Sequence, residues 1–471
     1  MPCVRKVNEV TMFRLAVLLA VLAAALPLPA SAFLPGSRAE IGLSFAPVVK
    51  EAAPAVVNIY ARRIVAERLS PFASDPFFSG VFGPPRTVER VQNSLGSGVI
   101  VDPGGIVVSN FHVVGGATDI RVVLSDRREF DGSVILADED SDLAVIRLSG
   151  ASDLPALDFA DSDAAEVGDL VLAIGNPFGV GQTVSSGIVS GLARSGGNIG
   201  GRYGYFIQTD APINPGNSGG ALVDMRGALL GINTSILTRS GGSNGIGFAI
   251  PANLVAQYVA QAQAGRTEIA RPWAGVAVQP VDAAMAGTLG LSPPQGVIVA
   301  DAHPRSPFLA AGIEPGDVIL TLGGQPVEAE AELTFRMTTL GVGTEAEVTY
   351  LRGGRRRTAT VTLAAAPEDP PRDEIRIETR SSLGGLAIAT INPAVIAQTG
   401  LPLGAVGVVV TQVSAFAQRT GLRPGDILRQ INGQPVETSR DVARIAQAMP
   451  RTWEILFERD GRQSLLRLRD R

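Results

Sequence analysis

Cysteine is almost missing from this chain: its 471 residues include one, Cys3. That residue precedes an apolar N-terminal run and is expected to leave with it. The rest of the chain then has no disulfide, no thiol chemistry and no cysteine-held metal, and nothing in it calls for a metal or other cofactor. Histidine is nearly as scarce, with only His112 and His303, so any histidine base has two candidates. The formal net charge of −5 gives no electrostatic case for nucleic acid or an anionic membrane. No glycine-lysine nucleotide loop occurs, so nothing points to ATP-driven unfolding. Long apolar runs are lacking too. The longest, Leu15 to Leu26, falls well short of the roughly 20 residues of a spanning helix.

That run is informative for its flanks. Arg5, Lys6 and Arg14 precede it, and Pro27, Pro29 and Ala30-Ser31-Ala32 follow. A basic start, a short apolar centre and an A-x-A site make a secretory signal. We expect residues 1–32 to be removed and the mature protein to be exported, without an integral membrane anchor. An uncleaved anchor is the competing reading.

What the chain has in quantity is glycine and proline, 54 and 32 residues, which favour short strands and many turns. From about Phe45 to Pro251, β-rich runs alternate with glycine turns, as in Ala55–Tyr60, Gly98–Val101, Ile120–Leu124 and Leu143–Leu148. Such spacing indicates a sandwich or barrel. Leu69 to Arg90, rich in Pro, Phe, Gly and Ser, reads as a long loop. A helix is expected over Asn253 to Gln263, stopped by Gly265.

Beyond it lies an internal repeat. Gly312-Ile313-Glu314-Pro315-Gly316-Asp317-Val318-Ile319 recurs as Gly421-Leu422-Arg423-Pro424-Gly425-Asp426-Ile427-Leu428, and Gly324-Gln325-Pro326-Val327 as Gly433-Gln434-Pro435-Val436. Two related domains therefore follow the β-rich body. The Ala-, Pro- and charge-rich stretch between them reads as a linker. Each Pro-Gly-Asp turn is expected to join strands rather than touch a ligand.

Gly216-Asn217-Ser218-Gly219-Gly220 is the strongest chemical signal. A glycine-flanked serine suits a turn that exposes its hydroxyl and aims backbone N–H groups at a carbonyl. Serine needs a base, and a carboxylate to orient that base. His112 sits at the end of an apolar run. His303 lies inside the repeat, where the second copy has Gln412, and reads as a loop residue. For the carboxylate, Asp138, Asp140 and Asp142 compete, and spacing does not separate them. The order histidine, aspartate, serine is that of chymotrypsin-like proteases, not of subtilisin or the α/β-hydrolases. The backbone N–H groups of Gly216 and Ser218 are the candidate oxyanion hole.

The combination resembles the HtrA/Deg family of serine proteases. The resemblance is carried by Ser109-Asn110-Phe111-His112-Val113-Val114, Ser141-Asp142-Leu143-Ala144-Val145 and Gly175-Asn176-Pro177-Phe178-Gly179. Gln208 through Gly220 and Gly245 through Pro251 extend it. It implies a mainly β fold: a chymotrypsin-like double β-barrel protease domain over 40–265, a PDZ domain over 270–365, a linker over 366–380 and a second PDZ domain over 381–471. It implies Asp142 as the catalytic carboxylate, beside His112 and Ser218. It also implies ATP-independent degradation of unfolded envelope proteins in the periplasm, a trimer or larger homo-oligomer, and architecture closer to the periplasmic two-PDZ members than to the anchored one-PDZ members. Loops around Phe178 to Gly187, Arg194 to Tyr205 and Thr234 to Asn244 are implied to order on activation. Phe111 departs from the family's usual polar residue before the histidine, and the loop from Leu69 is short relative to the longest members.

The resemblance places the specificity pocket near Ile213, Asn214 and Pro215 and near Ile232, Asn233, Thr234 and Ser235. No buried acid there demands a basic P1 residue, so small or medium apolar P1 residues are expected. The PDZ resemblance implies capture of C-terminal peptides as an added strand, with Trp273-Ala274-Gly275-Val276 as carboxylate loop in the first copy. Leu383-Gly384-Gly385-Leu386 is the counterpart in the second. The competing function is a noncatalytic chaperone or PDZ scaffold on a protease fold.

Overall fold

The structure, a computed structural model, describes residues 44–68, 87–176, 181–194, 205–214, 216–236, 245–379 and 381–470. The expected signal peptide lies outside them. Among the described residues no helix is long and apolar enough to cross a membrane.

After a short helix, α1 (Ala46–Ala52), the chain forms β1 (Val56–Arg68), β2 (Thr87–Asp102), β3 (Ile106–Ser109), β4 (Asp119–Val123), β5 (Glu129–Asp138) and β6 (Leu143–Leu148). These close in the order β1-β2-β3-β6-β5-β4. A second barrel holds β7 (Leu170–Gly175), β8 (Thr183–Arg194), β9 (Phe206–Thr209), β10 (Ala221–Val223), β11 (Leu229–Ile236) and β12 (Gly247–Pro251), in the order β10-β11-β12-β9-β8-β7. Val, Ile and Leu fill both interiors, and closure leaves no sheet edge to solvent. All of β3 is buried, as is β6 apart from Arg147.

Most expected strands are present, and β6 has the expected limits. β2 is longer than its central apolar run suggests. It pairs with β1 from Val56↔Val99 out to Arg68↔Thr87, so Thr87 to Arg90 are strand rather than loop. Cross-strand hydrogen bonds hold this outer stretch extended, a partner that local composition does not reveal. Residues 69–86 lie outside the described set. His112 stands on a one-turn helix, α2 (Phe111–Val114), that follows β3. The helix expected after Pro251 is α3 (Ala252–Gln263). It buries Leu254, Val255, Tyr258, Val259 and Ala262, the spacing of one helical face.

The first repeat contains β13 (Val276–Pro280), α4 (Ala283–Leu289), β14 (Val297–Ala302), α5 (Pro307–Ala310), β15 (Val318–Leu322), β16 (Gln325–Pro326), α6 (Glu330–Leu340), β17 (Glu345–Arg352) and β18 (Arg355–Thr362). The second begins with an additional short strand, β19 (Ile375–Arg376). It continues with β20 (Leu386–Thr390), α7 (Pro393–Thr399), β21 (Val408–Val413), β22 (Ile427–Ile431), β23 (Gln434–Pro435), α8 (Ser439–Gln447), β24 (Thr452–Arg459) and β25 (Arg462–Arg469). The Pro-Gly-Asp turns are braced alike. Buried Asp317 accepts from Glu314 N at 2.8 Å and takes both arms of Arg352 at 2.6 Å. Asp426 accepts from Arg423 N at 2.8 Å and holds Arg459 at 2.6 and 2.7 Å. Bidentate pairs of this kind fix turns geometrically.

α6 also docks the first repeat onto the second barrel. Phe335 stacks on Tyr205 with ring centroids 3.8 Å apart, and Arg336 reaches the Tyr205 hydroxyl at 3.2 Å and pairs with Asp163. Burial pushes the Tyr205 phenol up to about 12. Removing one member of a buried pair strands the other charge, at a cost of about 3 kcal/mol or more. Arg336→Ala is therefore expected to deprotect the α6 amides in hydrogen exchange. Unchanged protection would remove this pair from the docking contact.

Candidate active site

Three turns meet between the barrels. The first follows β3, the second precedes β6, and the third precedes β10. β3 and β6 are neighbours, with Ser109 opposite Ala144, so His112 and Asp142 lie side by side although 30 residues apart. Asp142 adopts the left-handed region at φ 52°. Its carbonyl accepts from Phe111 N at 3.1 Å and Asn110 Nδ2 at 3.0 Å. Its carboxylate is then aimed at the histidine. Oδ1 accepts from His112 N at 3.0 Å, and Nδ1 lies 2.9 Å from Oδ1 and 2.8 Å from Oδ2. Thr234 Oγ1 donates to Oδ2 at 2.5 Å.

An acceptor-only carboxylate facing Nδ1 puts the imidazole proton there and leaves Nε2 as the basic nitrogen. The Asp142 side chain is 18% exposed and that of His112 51%, so the carboxylate is sheltered while the ring meets solvent. His112 also borders a 520 Å³ cavity with Arg63, Gln92 and Asn93. Neither competing aspartate bonds to the histidine. Asp140 is exposed. Asp138 turns the other way, accepting from Ser141 N at 2.9 Å and Tyr258 OH at 2.7 Å and pairing with Arg271. Tyr258 also reaches Ser141 Oγ at 2.8 Å, and Arg271 reaches the Tyr258 hydroxyl at 2.9 Å. Burial drives the Tyr258 phenol far up, so it stays a neutral donor. This buried cluster braces the turn that carries Asp142.

Ser218 lies on the third turn. Its hydroxyl donates to Thr234 O at 2.9 Å, and among the described residues it makes no hydrogen bond to His112. Its carbonyl accepts from Ser97 N at 2.9 Å, and Ser97 Oγ donates to Gly216 O at 2.6 Å. First-barrel residue Ser97 thus anchors both ends of the turn that carries Ser218. Gly216 has φ 96° and Gly219 φ 82°, conformations open to glycine. A Cβ on Gly219 would lie 2.1 Å from Ser97 O and 2.4 Å from Ser109 Oγ. Gly219→Ala is expected to displace the turn, lowering both the thermal midpoint and the reaction of Ser218 with a serine-directed organophosphonate. Retention of both would show the turn to be more adaptable than this packing allows.

The expected pocket residues fall into different roles. Ile213 and Ile232 are 1% and 0% exposed; Ile213 packs in the core of the second barrel, and Ile232 in the larger core that also holds first-barrel residues and α3. Buried Asn233 accepts Gly219 N at 2.8 Å and donates through Nδ2 to Ala221 O at 2.9 Å, which pins the turn from behind. Thr234 touches both Asp142 and Ser218. Asn214 is exposed, and its carbonyl accepts Asn217 N at 2.9 Å. Pro215 lies outside the described residues. Ser235 lies on β11, its side chain outside them. Residues 178–180, 195–204 and 237–244 of the three expected activation loops are likewise outside. His303 sits on a turn of the first repeat, accepting Arg305 N on Nδ1 at 3.0 Å and packing edge-on against Trp273. Burial, and then the nearby Arg305, lower its pKa. The other carboxylate-loop residues, Ala274, Gly275 and Val276, lead from Trp273 into β13.

Sequence reasoning misses Ser97, the bracing cluster of Asp138, Ser141, Tyr258 and Arg271, and the role of Thr234 toward Asp142. Ser141 does lie inside a family motif, Ser141–Val145. The others act across the fold, where no local spacing marks them.

Residues 96–232 match the trypsin-like peptidase domain, and residues 272–363 and 409–456 each match the PDZ domain. A Haemophilus influenzae protein named a probable periplasmic serine protease do/HhoA-like is 38% identical, over 86% of this chain and 88% of its own. An Ectopseudomonas mendocina protein named a probable periplasmic serine endoprotease DegP-like is 37% identical, over 90% of this chain and 93% of its own. Among solved structures, the HtrA-type protease AlgW with tripeptide is 38% identical. It covers 70% of this chain and 99% of that chain, with a TM-score of 0.52.

Proposed function

This chain belongs to the HtrA/Deg family of trypsin-like serine proteases with PDZ domains, and from that premise we propose a periplasmic, ATP-independent endopeptidase that cuts unfolded polypeptides with Ser218, His112 and Asp142. The observation that carries the reading is the carboxylate of Asp142 gripping His112 Nδ1 beside the turn of Ser218. In catalysis Ser218 Oγ attacks the peptide carbonyl as its proton passes to His112 Nε2. His112 returns that proton to the leaving amine, and water then releases the acyl group by the same route. Asp142 holds the tautomer and stabilises the imidazolium. The N–H groups of Gly216 and Ser218 receive the oxyanion, a contribution of about 3 kcal/mol for each such donor in this type of site.

The Ser218–Thr234 hydrogen bond describes a resting arrangement. The hydroxyl must leave Thr234 O and turn to the imidazole before attack. That step is where regulation by a bound peptide acts, with the PDZ region as receptor for unfolded chains.

An organophosphonate that forms a covalent adduct with activated serine tests the reading. We expect a single adduct on Ser218, found by peptide mass mapping and lost in Ser218→Ala. An adduct that persists in the variant overturns the assignment. For specificity, the sequence from Met225 to Pro251 contains no Asp or Glu, so a peptide library is expected to show small or medium apolar P1 residues. Dominant cleavage after Arg or Lys would contradict this.

A further inference from the structure

The two PDZ domains differ where a ligand would lie. In the first, β13 ends its sheet, with no strand beyond it among the described residues. Between β13 and α6 runs a groove containing a 580 Å³ cavity, lined by Val276, Val278, Leu333, Thr334 and Met337 and reaching Gly275. The remaining wall comes from the second domain, through Ile396, Leu401 and Leu403.

In the second domain the same place is filled. β19 lies against both β20 and α8. It runs antiparallel to β20, with Ile375 opposite Ile388 and Arg376 opposite Ala387. Ile377 N donates to Leu386 O at 2.9 Å, and Gly385 N donates to Ile377 O at 2.7 Å. Ile377 is 3% exposed in a core with Leu386, Val442 and Ile445, and Ile375 packs against that core. Gly385 is the counterpart of Gly275: each has positive φ, at 86° and 63°, and each stands just before its strand. Each also has a carbonyl that accepts from the following turn, from Ser414 N and His303 N respectively. The chain therefore displays, in one repeat, what such a groove holds: an extended segment running toward the glycine loop, with apolar side chains at alternate positions.

We propose that the two PDZ domains make one peptide site per chain rather than two. The first supplies the strand edge and glycine loop, and the second supplies an apolar wall through Leu401 and Leu403. The groove of the second domain is occupied by the chain's own Ile375–Ile377. The ligand is the C-terminal segment of an unfolded polypeptide, apolar at its last and third-from-last residues. The inference rests on reading the first PDZ domain as a peptide receptor.

The test uses the full chain carrying Ser218→Ala, so that bound peptide is not cut. The probe is a fluorescent pentapeptide with the order Asp373-Glu374-Ile375-Arg376-Ile377 and a free carboxylate. Calorimetry is expected to count one peptide per chain. Thr334→Arg, on the groove face of α6, should abolish binding. Leu401→Asp and Leu403→Asp should each weaken it about tenfold or more, as expected for one apolar contact. Hydrogen exchange at Ile377 and Gly385 should stay slow at saturation, which also reports that the second domain remains folded in each variant. Where an Asp variant loses that protection, Leu→Ala at the same position replaces it, with weakening still expected. Two peptides per chain, binding that survives Thr334→Arg, unchanged affinity in both wall variants, or no binding at all would each overturn the proposal. Because the readout is binding without cleavage, failure here leaves the assignment of Ser218 standing, and failure of the serine labelling leaves the peptide site standing.

Discussion

Ser218→Ala is expected to lower the cleavage rate of an unfolded substrate such as reduced casein by about six decades, the loss typical of removing a serine nucleophile. The size of the effect follows from chemistry that alanine lacks: no acyl-enzyme forms, and the remaining donors only polarise the carbonyl for water. Structure should be little affected. Among the described residues Ser218 Oγ makes one hydrogen bond, to Thr234 O, while the backbone of the turn is held independently by Ser97 and Asn233. The thermal midpoint should therefore stay near that of the wild type. Cleavage at an equal rate in both proteins would sink the assignment. Loss of activity together with a large fall in midpoint would instead place Ser218 among the structural residues.

Asp142→Asn is expected to cost about 10⁴-fold in kcat while leaving the fold intact, as when an amide replaces the triad carboxylate of a chymotrypsin-like enzyme. Here the geometry says why. Both carboxylate oxygens accept: Oδ1 from His112 N, and Oδ2 from Thr234 Oγ1, with Nδ1 between them. An amide offers one acceptor and one donor. If its NH₂ group faces Nδ1, the imidazole proton moves to Nε2 and the base is lost. If it faces Thr234, the hydroxyl must reverse, and the imidazolium still forms without its counter-charge. Stopped assays on an unfolded substrate, with binding to the labelled pentapeptide as a control for folding, give the measurement. A loss below about tenfold would show that Asp142 does not orient the base.

Much of the site is legible in the order of residues alone. Two histidines, one of them inside a repeat, leave a single plausible base, and chain order chooses among the known serine-hydrolase arrangements. Strands announce themselves where β-branched runs meet glycine turns, as in Leu143–Leu148. Three aspartates within five positions cannot be told apart by spacing, because the difference between Asp138 and Asp142 is one of direction. The left-handed turn at Asp142 sends its carboxylate to His112, while Asp138 faces Tyr258 and Arg271. Ile213 and Ile232 sit in segments the family resemblance associates with specificity, yet their side chains are buried, one in the second-barrel core and the other in the core shared with the first barrel and α3. The outer part of β2 reads as loop because its extended form is imposed by β1.

The amino-acid order by itself determined the groups available: a serine flanked by glycines, two histidines of which one lies inside a repeat, and a duplicated PDZ module. These are questions of which groups are present, and composition and local spacing answer them. Tertiary structure decided which groups meet. Ser97 anchoring the turn of Ser218, Thr234 shared between Asp142 and Ser218, and Ile375–Ile377 lying on β20 while β13 has no such strand beside it among the described residues all depend on tertiary contacts. The physical reason is that hydrogen bonds and apolar contacts act over a few ångströms, so a residue's role is set by its neighbours in space rather than by its neighbours in sequence.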